Sequence, residues 1–208
     1  MIIDDVNKKM KENNYILSTE QLTDIGISKT TLTNYVRDGL LERCGHGFYT
    51  VPDSIEDDMY LLMLRSKHII FSHETALFLN GLSERTPFIH AVTIPSTAAI
   101  PSTIKEQCKC YYVKPELHKM GLIEKKTTFG NTVRCYDPER TVCDILRSRG
   151  RMDEETVISA IKNYGSYRIK NLQKLAEYAE KLRVSKQIKG YIIMSKVLDE
   201  GKRYRKHE

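Results

Sequence analysis

Asn, Thr and Arg are the side chains that read base edges in a DNA groove, and Lys is the usual phosphate contact. Lys29, Thr30, Thr33, Asn34 and Arg37 share the outward side of a segment, Lys29–Asp38, whose Leu32, Tyr35 and Val36 recur at helical spacing. Ser28 precedes this segment as its cap, and Gly39 follows as its stop. Downstream, Arg43 precedes a Cys44-Gly45-His46-Gly47 turn that carries His46, and both are placed to touch a backbone or minor groove. The chemistry implied is recognition of duplex DNA, with Ser28, Lys29, Thr30, Thr33, Asn34, Arg37, Arg43 and His46 as the candidate contacts.

The surrounding stretch supplies the scaffold. Ser18 caps a short helix over Thr19–Ile25, and Gly26 makes the turn into the second helix. Leu41–Arg43 and Phe48–Val51 alternate as two short strands closed by the glycine turn. An earlier helix, Asp4–Asn13, faces Val6 and Met10 inward and completes three helices. Together these read as a winged helix-turn-helix over residues 1–53. The plain alternative is a small three-helix module with a solvated polar face.

Pro52-Asp53-Ser54 breaks the pattern, and the domain boundary is placed there. Ser54 then caps a helix to Arg65 carrying Ile55, Met59, Leu62 and Met63. Strand-like runs follow at 67–71, 91–94, 109–113, 123–129 and 132–136, with Ser72 capping a helix to Asn80 between the first two. Asp137-Pro138-Glu139 opens a helix with a carboxylate cap and Pro at its first position, and Arg140 and Asp144 can pair across one turn. The rest is helical: 153–164 with Val157, Ile158 and Ile161 inward, 169–182 with Leu172, Leu175, Ala179 and Leu182 inward, and a last helix capped by Ser185 with Ile188, Ile192 and Leu198. The tail 201–208 is basic. The fold class expected is α+β: an N-terminal winged module, then residues 54–208 as a small, mostly antiparallel sheet (67–136) with several helices (137–208).

Composition narrows the function. The chain has 208 residues, 40% hydrophobic and 29% charged, which suits globular domains with their own cores and excludes low-complexity disorder. No apolar run reads as a signal peptide or membrane span, so the expected location is the cytoplasm. Five cysteines lack paired C-x-x-C spacing, and no structural metal or cofactor is expected. Charge is uneven. Residues 1–53 hold 6 Lys/Arg against 8 Asp/Glu, whereas residues 146–208 hold 16 against 8. The basic end offers Arg147, Arg149, Arg151, Arg168, Lys170 and Lys174 as additional phosphate contacts, or simply a solvated helical surface.

No catalytic motif stands out, and the chain reads as a non-enzyme. Ser72-His73-Glu74 offers a nucleophile, a base and an acid, but neighbours at a helix start diverge, so helix capping is the better account. Asp137 and Glu139 faintly suggest a metal-dependent nuclease; Pro138 puts Glu139 on a helix and weakens that idea.

The chain resembles the AbiEi family, the antitoxin and transcriptional regulator of bacterial AbiE abortive-infection toxin–antitoxin systems. The resemblance rests on Arg43–Tyr49, on Ser72–Leu77 through Gly81-Leu82-Ser83, and on Asp137–Asp144. It implies an N-terminal domain that binds inverted repeats in its own promoter and a C-terminal antitoxin domain. It further implies a nucleotidyltransferase-like toxin as the functional partner, in a type IV system where no stable complex is needed. No catalytic residue is implied. The net acidic winged module departs from what a DNA reader suggests, which makes the basic C-terminal segment a second contact surface. Two alternatives remain: an antitoxin that acts by binding its toxin directly, and a winged nucleic-acid-cleaving enzyme.

Overall fold

The structure, a computed structural model, describes residues 2–191, and side chains from residue 5 onward. It divides into two compact units, residues 1–67 with 126–133, and residues 68–125 with the remainder from Arg134.

In the first unit, α1 (Ile2–Glu12) turns Val6 and Met10 inward, and α2 (Thr19–Asp24) and α3 (Lys29–Arg37) follow. Ser18 and Gln21 form a reciprocal capping box at α2, each side chain bonding the other's backbone N–H. Gly26, at φ +87°, makes the turn between the two helices. Leu22, Ile27, Leu32 and Leu41 join Val6, Met10 and Leu17 in one core, with Tyr35 and Val36 against it. Burying an aliphatic side chain contributes ~1.5–3 kcal/mol, so this cluster fixes the angle of α3.

Strands β1 (Leu17–Ser18), β2 (Glu42–Gly45) and β3 (Phe48–Thr50) form a sheet in the order β1-β3-β2. β1 pairs antiparallel with β3 through Leu17 and Tyr49. Two residues of strand ahead of a helix give no alternation to detect, which is why the sequence pattern misses β1. Between Arg43 and Gly45 the β2–β3 register shifts, an irregularity close to the turn.

The next helix, α4, runs Asp58–Arg65 and is capped by Asp57. Ser54 does not cap it; its hydroxyl bonds Thr50 Oγ1 at 2.6 Å, and Ile55 is 81% exposed. Leu61 joins Ile16 and Cys44 in a second small core that also takes Phe48, Tyr60 and Leu64. Packing against the β2–β3 hairpin thus places α4 in the first unit, beyond the break at Pro52. Asp57 is buried, and its Oδ2 accepts bonds from Thr127 Oγ1 at 2.5 Å and Asn131 Nδ2 at 2.8 Å, which holds residues 126–133 in this unit.

The second unit carries a five-stranded sheet in the order β6-β5-β4-β8-β7. Its strands are β4 (Ile70–Phe71), β5 (His90–Pro95), β6 (Cys108–Val113), β7 (Leu122–Lys126) and β8 (Thr132–Tyr136). The expectation of a mostly antiparallel sheet is corrected. β4 meets β5 antiparallel but β8 parallel, and β5 runs parallel to β6, so the sheet is mixed. A parallel pair needs a crossover, and residues 96–107 supply it with α6 (Ser102–Gln107), a helix hidden in the sequence by Pro95 and Pro101.

Helices α5 (His73–Leu79), α7 (Pro115–His118), α8 (Pro138–Arg147), α9 (Glu154–Ser166) and α10 (Leu172–Lys181) complete the unit. Residues 139–146 of α8 are all buried. Val142, Ile145 and Leu146 meet Leu77, Val157, Ala160, Leu175 and Ala179 in the main core. Ile158, Ile169 and Leu172 are exposed, contrary to the inward positions expected for Ile158 and Leu172, while Ala160 and Tyr164 are inside. Residues 185–191 are helical, starting from the carbonyl of Val184, so Val184 holds the cap position assigned to Ser185. Ile192, Leu198 and the basic tail 201–208 lie outside the described residues.

Candidate nucleic-acid interface

Ser28 caps α3 by accepting a bond from Thr31 N at 3.1 Å, so its hydroxyl is engaged at the helix start. Lys29, Thr30, Thr33 and Arg37 are exposed and Asn34 is half-buried, with Leu32 buried on the opposite side. The inward and outward faces of α3 therefore fall where periodicity sets them. Thr33 Oγ1 donates to the Lys29 carbonyl at 3.0 Å, which leaves its lone pairs and methyl group outward. Arg37 Nε pairs with Asp38 Oδ1 at 3.0 Å in the open. An exposed pair of this kind is worth ~0–1 kcal/mol, little enough for a base or phosphate to displace Asp38.

At the hairpin, Arg43 Nε bonds the Gly45 carbonyl at 3.2 Å and Arg43 Nη2 lies 3.2 Å from His46 Nδ1. Arginine has no acceptor, so Nδ1 accepts and the imidazole proton sits on Nε2. Arg43 and His46 thus act together, presenting a guanidinium and a ring N–H from one turn. Gly47, at φ +75°, closes that turn, and its carbonyl accepts from the Thr19 backbone N–H at 2.8 Å, tying the hairpin to the start of α2. Nearby Cys44 is buried and burial pushes its thiol up to about 11, so it is an inert core group.

The cations of the second unit have separate situations. Arg149, Arg168 and Lys170 are exposed, with Lys170 Nζ against the Gly165 carbonyl. Lys174 Nζ pairs with the buried Asp137 Oδ2 at 2.8 Å, and that hydrogen bond holds its pKa above the ordinary value. Arg147 and Arg151 are exposed and border a cavity beside His73.

The residues considered for catalysis make hydrogen bonds that differ in part from those expected. Asp137 caps α8 through Arg140 N at 2.8 Å, and Glu139 accepts from Tyr164 Oη and Asn171 N at 3.1 and 2.8 Å. Ser72 makes no cap bond at α5; its hydroxyl accepts from Thr93 Oγ1 at 2.8 Å and sits 2.9 Å from His73 Nδ1. His73 takes φ +49°, which turns its ring back onto Ser72, the geometry that the divergence of helical neighbours conceals. Among the described residues no three His, Cys, Asp or Glu gather as a metal set, and no helix is long and apolar enough to cross a membrane.

Two helices joined by a glycine turn, the second capped by serine and polar outward, define a helix-turn-helix region within an α+β chain. Residues 11–52 match the family model described as transcriptional regulator, AbiEi antitoxin, the family the sequence resembles. The match begins in α1 and ends just past β3, and so takes in every candidate contact of this region. No curated protein matches the chain. Among solved structures, the crystal structure of the RV2827C protein from Mycobacterium tuberculosis is similar in fold. Its TM-score is 0.60 at 11% identity, over 84% of this chain and 69% of that one.

Proposed function

We propose that the chain is an antitoxin that also represses its own operon by binding inverted repeats in the promoter. In this reading α2, α3 and the β2–β3 hairpin act as a winged helix-turn-helix. Lys29, Thr30, Thr33, Asn34 and Arg37 enter the major groove, and Arg43 with His46 holds the backbone. The observation that carries it is the regulator-family match over residues 11–52 falling on a helix whose polar face is exposed. Arg149, Arg168 and Lys170 add sequence-independent attraction to phosphate. The protein works in the cytoplasm without catalysis or cofactor, and its toxin, nucleotidyltransferase-like, need not stay bound, as in a type IV system.

The test is binding of the intact chain to DNA from upstream of its gene and to scrambled DNA across a salt series. Preference for the upstream sequence that Arg37→Ala relaxes supports the reading. Equal losses on both DNAs from Arg37→Ala overturn the base-reading assignment, and no preference at all overturns repression. A second reading, direct binding of an acidic toxin, is favoured by the excess of 16 Lys/Arg over 8 Asp/Glu in residues 146–208. Stable co-purification with a neighbour-encoded protein would favour that second reading.

A further inference from the structure

A cavity of about 300 Å³ opens in the second unit between β5, β6 and the C-terminal end of α8. Arg140, Asp144, Arg147, Ser148, Arg151 and His73 supply its polar lining. Three guanidinium groups against one carboxylate is an unusual inventory for so small a space, because like charges repel unless an anion joins them.

The innermost group is the most telling. Arg140 is 0% exposed; its Nε donates to Asp144 Oδ2 at 2.9 Å and its Nη1 to the Leu117 and Met120 carbonyls at 2.7 and 2.9 Å. Its guanidinium carbon lies 4.2 Å over the Tyr136 ring. Nη2 is buried with no partner. Two N–H bonds of a charged group are thus withheld from water with nothing to receive them, which buried polar groups rarely tolerate. Asp144, the two carbonyls and the ring account for the rest of the guanidinium, and Arg140 is among the residues that line the cavity.

The other walls are built to hold donors still. Arg151 stands 4.5 Å over the Tyr111 ring, and His73 stacks on that same ring at 3.4 Å and 12°. Among the described residues Arg147 and Arg151 have no carboxylate within ion-pair distance. His73 Nε2 is 3.0 Å from Ser148 Oγ, while its Nδ1 meets the Ser72 hydroxyl, which already accepts from Thr93. A hydroxyl oxygen can accept twice, so either serine can be the one that donates to the imidazole, and together they hold the ring in place beside the cavity. Arg140 cancels Asp144, so Arg147 and Arg151 leave a net charge of two positive.

We propose that this cavity binds the phosphoryl group of a small phosphorylated molecule. Arg147 and Arg151 would close on the phosphoryl oxygens, the fork geometry that suits phosphate, with Arg140 and Ser148 forming the inner wall. The volume is at the lower end of small-molecule pockets, ~300–1,000 Å³, and leaves room for an ester substituent beyond the phosphoryl group. This site stands apart from the DNA-reading proposal and does not depend on it.

The test titrates the intact chain with inorganic phosphate, adenosine 5′-monophosphate and adenosine by calorimetry at constant ionic strength. Saturable binding of the monophosphate, weaker binding of inorganic phosphate and none of adenosine is expected. Binding of inorganic phosphate without the monophosphate would keep the phosphoryl site and assign it to the free anion. Arg147→Gln and Arg151→Gln, both exposed and each checked for an unchanged melting temperature, should weaken binding by about tenfold each, with Arg147→Lys between. Equal binding of adenosine and its monophosphate overturns the proposal, as does binding that survives both Gln substitutions. Absence of binding by either phosphate at millimolar concentration overturns it too. Loss of random-sequence DNA binding in the double variant, with no phosphate or monophosphate binding by the parent, assigns these arginines to a nucleic-acid backbone instead.

Discussion

Replacing Asp57 tests whether one buried carboxylate holds the first unit together. Its Oδ1 accepts from Tyr60 N at 3.1 Å as the cap of α4, and its Oδ2 accepts from Thr127 and Asn131. Asp57→Ala removes the cap, costing about 1 kcal/mol. It also strands a hydroxyl and an amide, each at ~1–3 kcal/mol, since Thr127 and Asn131 are only 6% and 5% exposed. Allowing for some entry of water, the loss is about 3–5 kcal/mol. Asp57→Asn keeps the cap oxygen but turns an NH₂ toward two donors. Asn131 cannot reverse its amide without giving up the bond it accepts from Asn14 Nδ2 at 2.8 Å. The Asn variant should therefore lose about 1–3 kcal/mol. Hydrogen exchange of amides in residues 1–67 and 126–133 reads this directly. Asp57→Ala should lose protection there by roughly two to three and a half powers of ten, at about 1.4 kcal/mol per tenfold. A loss below about threefold, or an Asn variant as damaged as the Ala variant, would refute the reasoning.

Three further outcomes are expected. Asp38→Ala frees the Arg37 guanidinium and removes a negative charge beside α3, so affinity for any DNA should rise modestly, by about 0.5–1 kcal/mol; weaker binding would count against α3 as the contact surface. Gly121→Ala places a Cβ 2.7 Å from Arg140 Cβ at φ +78°. Overpacking and backbone strain together should cost about 2–4 kcal/mol in urea unfolding, and an unchanged midpoint would show that Arg140 is less tightly held than described. Burial, and then Lys109, Arg140, Arg151 and Arg147, hold His73 well below its ordinary 6.5. Below that pH the unfolded chain takes up a proton that the folded chain refuses, so this contribution is complete above 6.5 and declines as pH falls. The melting temperature of the parent should drop more between pH 7 and pH 5 than that of His73→Asn, and an equal or smaller drop would refute the assignment.

Much of the first unit was legible because its signals are local. Ser18 and Ser28 cap, Gly26 turns, and Leu32, Tyr35 and Val36 define an inward face, all within a few residues of sequence. The same locality made Asp137 and Pro138 a readable start for α8, and the Arg140–Asp144 spacing a readable pair. What escaped depends on distant partners. Nothing near Asp57 announces Thr127 and Asn131, and nothing near Ser72 announces Thr93. Strand direction escaped for the same reason, since Cys108–Val113 looks the same whether it runs with or against β5. Helical spacing that groups Ile158 with Val157 and Ile161 misses that α9 faces the core with Val157, Ala160 and Tyr164. Residue chemistry alone marks the candidate contacts on α3, whereas the Arg43–His46 bond and the Arg37–Asp38 pair depend on rotamers that spacing does not set.

The short tip at 126–133 bears on how such a protein can be recombined. The first unit is discontinuous in the gene, since its first 67 residues reach Asp57 while the acceptors' partners, Thr127 and Asn131, are encoded some way downstream. A cut after residue 67 therefore yields a cassette in which the buried carboxylate of Asp57 has lost both of its side-chain donors, and a cut after residue 53 removes Asp57 and α4 from the unit altogether. Exchanging the amino-terminal unit between relatives needs the eight-residue tip transferred as well, or Asp57 replaced in the hybrid. Substituting the outward residues of α3 alone leaves that linkage intact, which makes point changes the less disruptive way to test the proposed DNA contacts.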